Sequence, residues 1–259
     1  MKKLPFFISI PHGGTETPDE VKERICIGQA DILEDGDAFT MDIYDVSADV
    51  RQVLKANIAR AFVDLNRAED DLPPENPDGV VKSSTCYSKP IYLPGQEPDD
   101  ALIETLLTRF HRPYHRAIGE TLTRSGTDIV LALDCHSMAA LGPDIAPDTG
   151  KRRPLFCLGN RHGKTCPMET THLLADCLRQ AFDLEESDVT LNQPFAGGYI
   201  TRTYGANPVP WIQVEMSRDL FLRQPYFDRE TWLIDSSRLR ELRSFFQAAL
   251  QLFFKLLQR

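Results

Sequence analysis

Apolar positions recur along this chain in two rhythms. Residues 4–10 form a nearly unbroken apolar run, the pattern of a buried strand, and the run leads into His12 and the pair Gly13-Gly14. Residues 128–134 (Asp-Ile-Val-Leu-Ala-Leu-Asp) repeat the pattern and predict a strand buried on both faces, as in a parallel sheet. Shorter runs at 59–65, 154–159 and 211–216 also read as strands. Between them the spacing lengthens. Phe39, Ile43, Val46, Val50 and Val53 alternate by three and four and predict a helix over 37–54. Leu102, Leu106, Phe110, Tyr114, Ile118 and Leu122 line one face of a long helix over 99–125, with Pro113 inside it as a source of a kink. Residues 18–24 start a short helix, and 166–182 and 236–258 read as longer ones. The proline-rich, acidic stretch 68–98 reads as a long loop that covers or shapes a site. Strands alternating with helices predict an α/β fold with helices on both faces, and without an internal linker 1–259 is expected to be a single domain.

Composition changes this picture little. The chain has 259 residues, 42% hydrophobic and 26% charged, which is ordinary for a globular protein. Its net charge of -9 argues against nucleic-acid or anionic-membrane partners, which need basic patches. No apolar run approaches the ~20 residues of a membrane span. The N-terminus lacks a signal-peptide pattern, so a cytoplasmic location is expected. Cys26, Cys86, Cys135, Cys157, Cys166 and Cys177 form no C-x-x-C pair and are expected to be reduced thiols.

The candidate chemistry sits where strands end. His12 follows the first strand, Asp134-Cys135-His136-Ser137 closes the central one, and Glu215 lies on the last. Ligands of α/β sheets bind outside the carboxyl ends of the strands, so these residues are placed to meet at one edge. Two imidazoles and a carboxylate suit zinc, and a glycine pair lets backbone approach closely. The plainer readings are a surface histidine at 12 and a solvated strand end at Asp134, which otherwise orients His136 from behind. His111 and His115 lie on one helix face, but Arg112-Pro113-Tyr114 between them is no His-Glu-x-x-His, and His115 reads equally as a core histidine. His162 and His172 read as surface residues. Arg67 and Arg202 are candidates for holding a substrate carboxylate, Arg67 having the alternative of pairing with Glu69, Asp70 and Asp71. A nucleophilic Ser137 or Cys135 is disfavoured, because neighbours on a strand point apart and no G-x-S-x-G elbow exists.

Six segments in order, Ile10-Pro11-His12-Gly13-Gly14, Asp64-Leu65-Asn66-Arg67, Arg112-Pro113-Tyr114-His115, Asp134-Cys135-His136-Ser137, Phe195 to Arg202 and Gln213-Val214-Glu215-Met216, resemble the N-formylglutamate amidohydrolase family. That family is similar to zinc-dependent exopeptidases. The resemblance implies a three-layer α/β/α sandwich with a mixed, mostly parallel sheet (phosphorylase/hydrolase-like), one Zn2+, and hydrolysis of N-formyl-L-glutamate or a related small anionic N-acyl amino acid, as in histidine degradation. It implies His12 and His136 as metal ligands, Glu215 as general base, and Arg67, Arg202 and Asn66 as substrate-binding residues. The wider group places a glutamate three residues after the first histidine; here Thr15 stands there, with Glu16 one residue late, and Asp37 is the preferred third ligand. The alternatives are a peptidase-like amidase acting on a cell-wall fragment or another N-acyl amide, and a binding protein that kept the fold without turnover.

Overall fold

The computed structural model describes residues 3–125, 129–144, 146–206 and 208–258. Six strands, β1 (Leu4–Ile10), β2 (Val50–Lys55), β3 (Leu131–Met138), β4 (Phe156–Gly159), β5 (Val189–Leu191) and β6 (Trp211–Ser217), form one sheet in the order β2-β1-β3-β6-β4-β5. All neighbouring pairs are parallel except β4 against β6, so the sheet is mixed and mostly parallel. The helices are α1 (Gln29–Asp35), α2 (Thr40–Tyr44), α3 (Asp100–Leu106), α4 (Arg112–Ser125), α5 (Met168–Phe182), α6 (Tyr199–Tyr204) and α7 (Ser236–Leu257).

Side chains alternate across each strand and feed two cores. Phe6, Ile8, Ile10, Leu131, Leu133, Ile212 and Val214 face α2, α5 and α7. Phe7, Ala132 and Trp211 face the opposite way, toward Tyr114, Ile118 and Leu122 of α4 and the buried loop residues Ala59, Phe62, Val63 and Leu65. The result is the expected three-layer α/β/α sandwich. Among the described residues no helix is long and apolar enough to cross a membrane.

Several elements differ from the sequence reading. The helix expected over 37–54 is split: α2 ends at Tyr44, Asp45 accepts from the backbone N–H of Ser47 in a turn, and Val50 to Lys55 become β2 beside β1. A period of 3.6 is poorly distinguished from the strand period in so short a stretch, and the β-branched Val50 and Val53 fit the edge of a sheet. Residues 59–65 are buried but make isolated bridges and a turn closed by Phe62 and Val63 on the Ala59 carbonyl, so they are core loop and not a strand. Residues 18–24 hold only a 3-10 turn, Asp19–Val21. The long helix 99–125 is α3, a π-helical segment Leu107–His111, and α4. The wide turn accommodates Pro113, which lacks an N–H and crowds the preceding carbonyls. Asp128, the expected start of the central strand, lies outside the described residues.

Candidate metal centre

β1, β3 and β6 run parallel, so their carboxyl ends share one edge of the sheet. Their period-two alternation places a ladder of polar side chains on one face: Ser9 on β1, Asp134 and His136 on β3, Gln213 and Glu215 on β6. Ser9 pairs in register with Asp134, Asp134 with Gln213, and His136 with Glu215. All five are buried.

His12, two residues past β1, turns back onto this edge. The turn needs glycine: a Cβ on Gly14 would lie 2.2 Å from the backbone carbon and oxygen of Asn57, and one on Gly13 would lie 2.7 Å from Met41 Cγ. The backbone N–H of Asp37 donates to the carbonyl of His12 at 2.9 Å, tying the two segments together. Asp37 Oδ2 then lies 3.3 Å from His12 Nδ1 and 3.0 Å from His136 Nδ1. These three buried side chains can each offer one donor atom, all within 4.8 Å of one another. Glu16, the alternative third ligand, is exposed and bridges to Ile58 instead.

The outer atoms of the trio are partnered. His12 Nε2 donates to Asp64 Oδ1 at 2.7 Å, and Asp134 Oδ2 lies 3.2 Å from His136 Nε2. A carboxylate on the far nitrogen fixes the tautomer that leaves Nδ1 as an electron-pair donor. Asp37 Oδ1, the oxygen turned away from the imidazoles, accepts from Ser137 Oγ at 3.2 Å and from Arg218 Nη2 at 3.3 Å. Arg218 also donates to the carbonyls of Glu34 and Gly36, so it braces the turn that carries Asp37. Two imidazole nitrogens and one carboxylate oxygen, each oriented from behind, fit a divalent cation of zinc type.

Burial opposes charge throughout this cluster, yet opposite partners override it. Burial works against the charged form of His12, but Asp64 and Asp37 hold it above its ordinary value. Burial likewise opposes a charged His136, and Asp134 and Asp37 raise it well above the ordinary value. Asp37 is held well below the carboxylate range by the two imidazoles despite burial. Glu215 behaves differently. Burial pushes it up to about 7, against the pull of His136. Its Oε1 accepts from Gln213 Nε2 at 2.7 Å.

The remaining candidates sort themselves by contact. Asn66 Nδ2 lies 3.2 Å from His136 Nε2, and its Oδ1 accepts from the Ile200 backbone at 2.7 Å, so it touches the trio through His136. Arg67, its side chain 35% exposed, reaches Asp78 at 3.0 Å, Asp71 at 3.6 Å and Asp64 at 3.7 Å; its ion partners include the acidic loop. Arg202 is exposed on α6, its guanidinium 5.7 Å from the centre of the Tyr199 ring. Cys135 points to the opposite face of the sheet from His136, and burial drives its thiol well above the ordinary range, which leaves it a poor nucleophile. Ser137 Oγ is engaged by Asp37 and Arg218. Sequence reasoning gave no role to Asp64, Gln213 or Arg218. Gln213 shows a signal, two residues before Glu215 on a strand; Arg218 shows none, because its acceptors are separated from it by more than eighty residues. Arg218 also lines a cavity of about 1010 Å³ with Tyr87, Leu222, Phe227 and Trp232; the trio itself is not part of that lining.

His111 and His115 stand apart as a close pair, ring centres 4.2 Å apart and planes tilted by 37°. His115 donates through Nε2 to the Leu65 carbonyl and accepts at Nδ1 from the Tyr204 hydroxyl, both at 3.0 Å, an arrangement for a neutral ring. Burial, aided by His111, pushes it down to about 4. A histidine that is neutral when folded and titrates near 6.5 when unfolded favours folding above pH 6.5 and loses that contribution as pH falls toward 4. Between pH 7.5 and 5 the loss is about 2 kcal/mol. Urea unfolding of wild type and His115→Gln at both pH values checks this: the acid-induced loss is smaller in the variant by about that amount, and equal losses contradict it.

Residues 4–222 match the family described as N-formylglutamate amidohydrolase. The chain is 28% identical over 237 residues to the N-formylglutamate deformylase of Pseudomonas putida, covering 88% of this chain and 86% of that one. It is 31% identical over 251 residues to the N-formylglutamate deformylase of Pseudomonas aeruginosa, covering 93% and 91%. Its fold is similar to that of a crystal structure of N-formylglutamate amidohydrolase from Ralstonia eutropha JMP134, with a TM-score of 0.78 at 22% identity over 100% of this chain and 96% of the other.

Proposed function

Because the chain belongs to the N-formylglutamate amidohydrolase family, we propose that it is a zinc-dependent amidohydrolase that cleaves N-formyl-L-glutamate to formate and L-glutamate. The observation that carries this reading is the convergence of His12 Nδ1, His136 Nδ1 and Asp37 Oδ2 beside the strand that bears Glu215. His12, Asp37 and His136 would hold one Zn2+. Such an ion supplies Lewis acidity, which makes water acidic near neutral pH and draws electron density from an amide carbonyl.

The chain's own groups do the rest. Glu215 is adjacent to His136 in register, and Gln213 occupies one of its oxygens. The other oxygen accepts a proton from the attacking water and returns it to the nitrogen of the departing glutamate. A carboxylate whose burial lifts it to about 7 exchanges protons efficiently near neutral pH. Arg67 and Arg202 are the proposed holders of the substrate carboxylates. Arg67 is the most exposed member of its cluster, its side chain at 35% against 29% for Asp71, 21% for Asp78 and 2% for Asp64. Asn66, its Oδ1 held by the Ile200 backbone N–H and its Nδ2 amide beside the His136 ring, is the proposed donor to the substrate from that side.

The test is formate release from N-formyl-L-glutamate by the purified protein as isolated, after chelation, and after zinc is restored. Activity that disappears on chelation and returns with zinc supports both the reaction and the metal. Zinc bound with no formate released under any condition overturns the substrate and leaves the hydrolase centre for other N-acyl amino acids.

A further inference from the structure

Behind His12 lies a set of buried charges that the proposed reaction does not use. Asp64, which holds His12 Nε2 through Oδ1, is gripped at Oδ2 by Arg60 Nε at 2.9 Å. Arg60 Nη1 donates to the Asp35 carbonyl at 3.0 Å and lies 3.5 Å from the Asp35 carboxylate. Lys82 is wholly buried; its ammonium reaches both oxygens of Asp35 at 2.8 Å and Asp78 at 2.5 Å. Three aspartates thus face two cations inside the fold, and Arg67 at the rim, 3.0 Å from Asp78, supplies the balancing charge.

Buried ion networks of this kind are poor sources of net stability, because desolvating each charge costs as much as pairing returns; an apolar set of the same volume would do as well or better. What they do fix is geometry. This one reaches the candidate metal trio at two points. Through Asp64 it sets the ring of His12. Through Asp35, which ends α1 two residues before Asp37, it anchors the turn that delivers Asp37. From these contacts we infer that Arg60, backed by Lys82 and Asp35, is a positioning residue for the metal centre: it holds Asp64 in the one orientation that keeps the proton of His12 on Nε2 and its electron pair on Nδ1, facing Asp37. The inference rests on the proposed metal role of His12. It goes beyond it by assigning the selection of the donor nitrogen to a cation that touches neither metal nor substrate.

Asp64 alone does not suffice for this task. A carboxylate tethered only by its backbone can rotate, and either oxygen then serves either neighbour. With Arg60 on Oδ2, and the Asn66 backbone N–H joining His12 on Oδ1 at 2.8 Å, both oxygens are committed. Arg60 therefore acts on His12 through a rigid intermediary, as outer partners of metal ligands do.

The test uses the full-length chain as wild type, Arg60→Gln and Arg60→Lys. Zinc affinity is measured by competition with a chromophoric chelator, and the His12 Nε2–H proton resonance is observed in zinc-loaded protein and in metal-free protein at pH 9. The expected result for Arg60→Gln is a loss of zinc affinity of about 10–100-fold together with a shift or exchange broadening of the His12 Nε2–H signal. Arg60→Lys recovers part of both, because a cation returns without the guanidinium's fixed fork. Should Arg60→Gln fail to fold, Arg60→Lys is decisive, with a several-fold loss of affinity and a displaced Nε2–H signal in a folded protein. Affinity within twofold of wild type and an unmoved signal in any folded variant overturn the inference. If wild type itself binds no zinc, the metal reading has failed, and the metal-free resonance at pH 9 still decides whether Arg60 governs the His12 tautomer.

Discussion

Replacing Glu215 by glutamine lowers kcat by about 10²–10⁴-fold, the span over which a positioned proton-transfer group accelerates a reaction, and leaves the bound metal in place. The substitution is nearly isosteric, and the glutamine carbonyl can still accept from Gln213 Nε2, as Glu215 Oε1 does at 2.7 Å. What disappears is the carboxylate proposed to take a proton from water and pass it on. Glu215 is 6% exposed, and removing a buried negative charge relieves desolvation, so the variant should be at least as stable as wild type. A fall in kcat with unchanged KM, unchanged zinc content and a urea midpoint no lower than that of wild type is the expected pattern. Turnover within tenfold of wild type would remove Glu215 from the role of base.

The second large effect is on the metal. His136→Ala is expected to weaken zinc binding by more than the roughly 10–100-fold that loss of an outer partner costs, because a direct donor is lost. The alanine also leaves Asp37 and Asp134 without the imidazole that now lies 3.0 Å from one and 3.2 Å from the other. The backbone of β3 is paired on both sides, by β1 and by β6, so the strand itself should persist. Chelator competition gives the affinity, far-UV circular dichroism checks the fold, and formate release follows the metal down. Wild-type affinity in a folded His136→Ala protein would exclude this residue as a ligand.

These two outcomes separate the hydrolytic reading from that of a binding protein which kept the fold. A protein that only binds would tolerate glutamine at 215 without functional loss. A base working beside a metal would not, and its loss should be seen in kcat before it is seen in binding.

Much of this was legible along the chain because it is local. β3 opens on the apolar Leu131-Ala132-Leu133, all three buried, the pattern of a strand covered on both faces. Its last residues carry Asp134 and His136 two apart, so alternation alone puts them on one face. Gly13 and Gly14 mark a turn that allows close backbone approach, and the clash of a Cβ on Gly14 with Asn57 gives the reason. The strand-end placement of His12, His136 and Glu215, and six ordered segments of a known family, came from the same kind of reading. The elements that misled were short ones. Residues 37–54 fit a helical period, but whether Val50 and Val53 pack as a helix face or pair beside β1 depends on the presence of β1. Residues 59–65 are apolar because they fill a core, and burial does not require a strand.

Tertiary structure decided what stands behind each donor atom. Asp64 meets His12 across a separation of 52 residues, Arg218 meets Asp37 across 181, and Lys82 meets Asp35 across 47. No periodicity in a sequence encodes such pairings, because they depend on how loops close over the sheet edge. The same holds for Arg67: its sequence neighbours offered Asp71 as a partner, but Asp78, its nearest partner, comes from farther along the folded loop. The sequence by itself therefore determined that His12, His136 and Glu215 fall at or just past the carboxyl ends of strands that share one edge of the sheet, because strand alternation and strand ends are local properties. Only the folded chain decided which nitrogen of each histidine faces inward, which oxygen of Asp37 is turned toward the imidazoles, and which cations hold them there, because each depends on contacts between segments that the chain brings together from far apart.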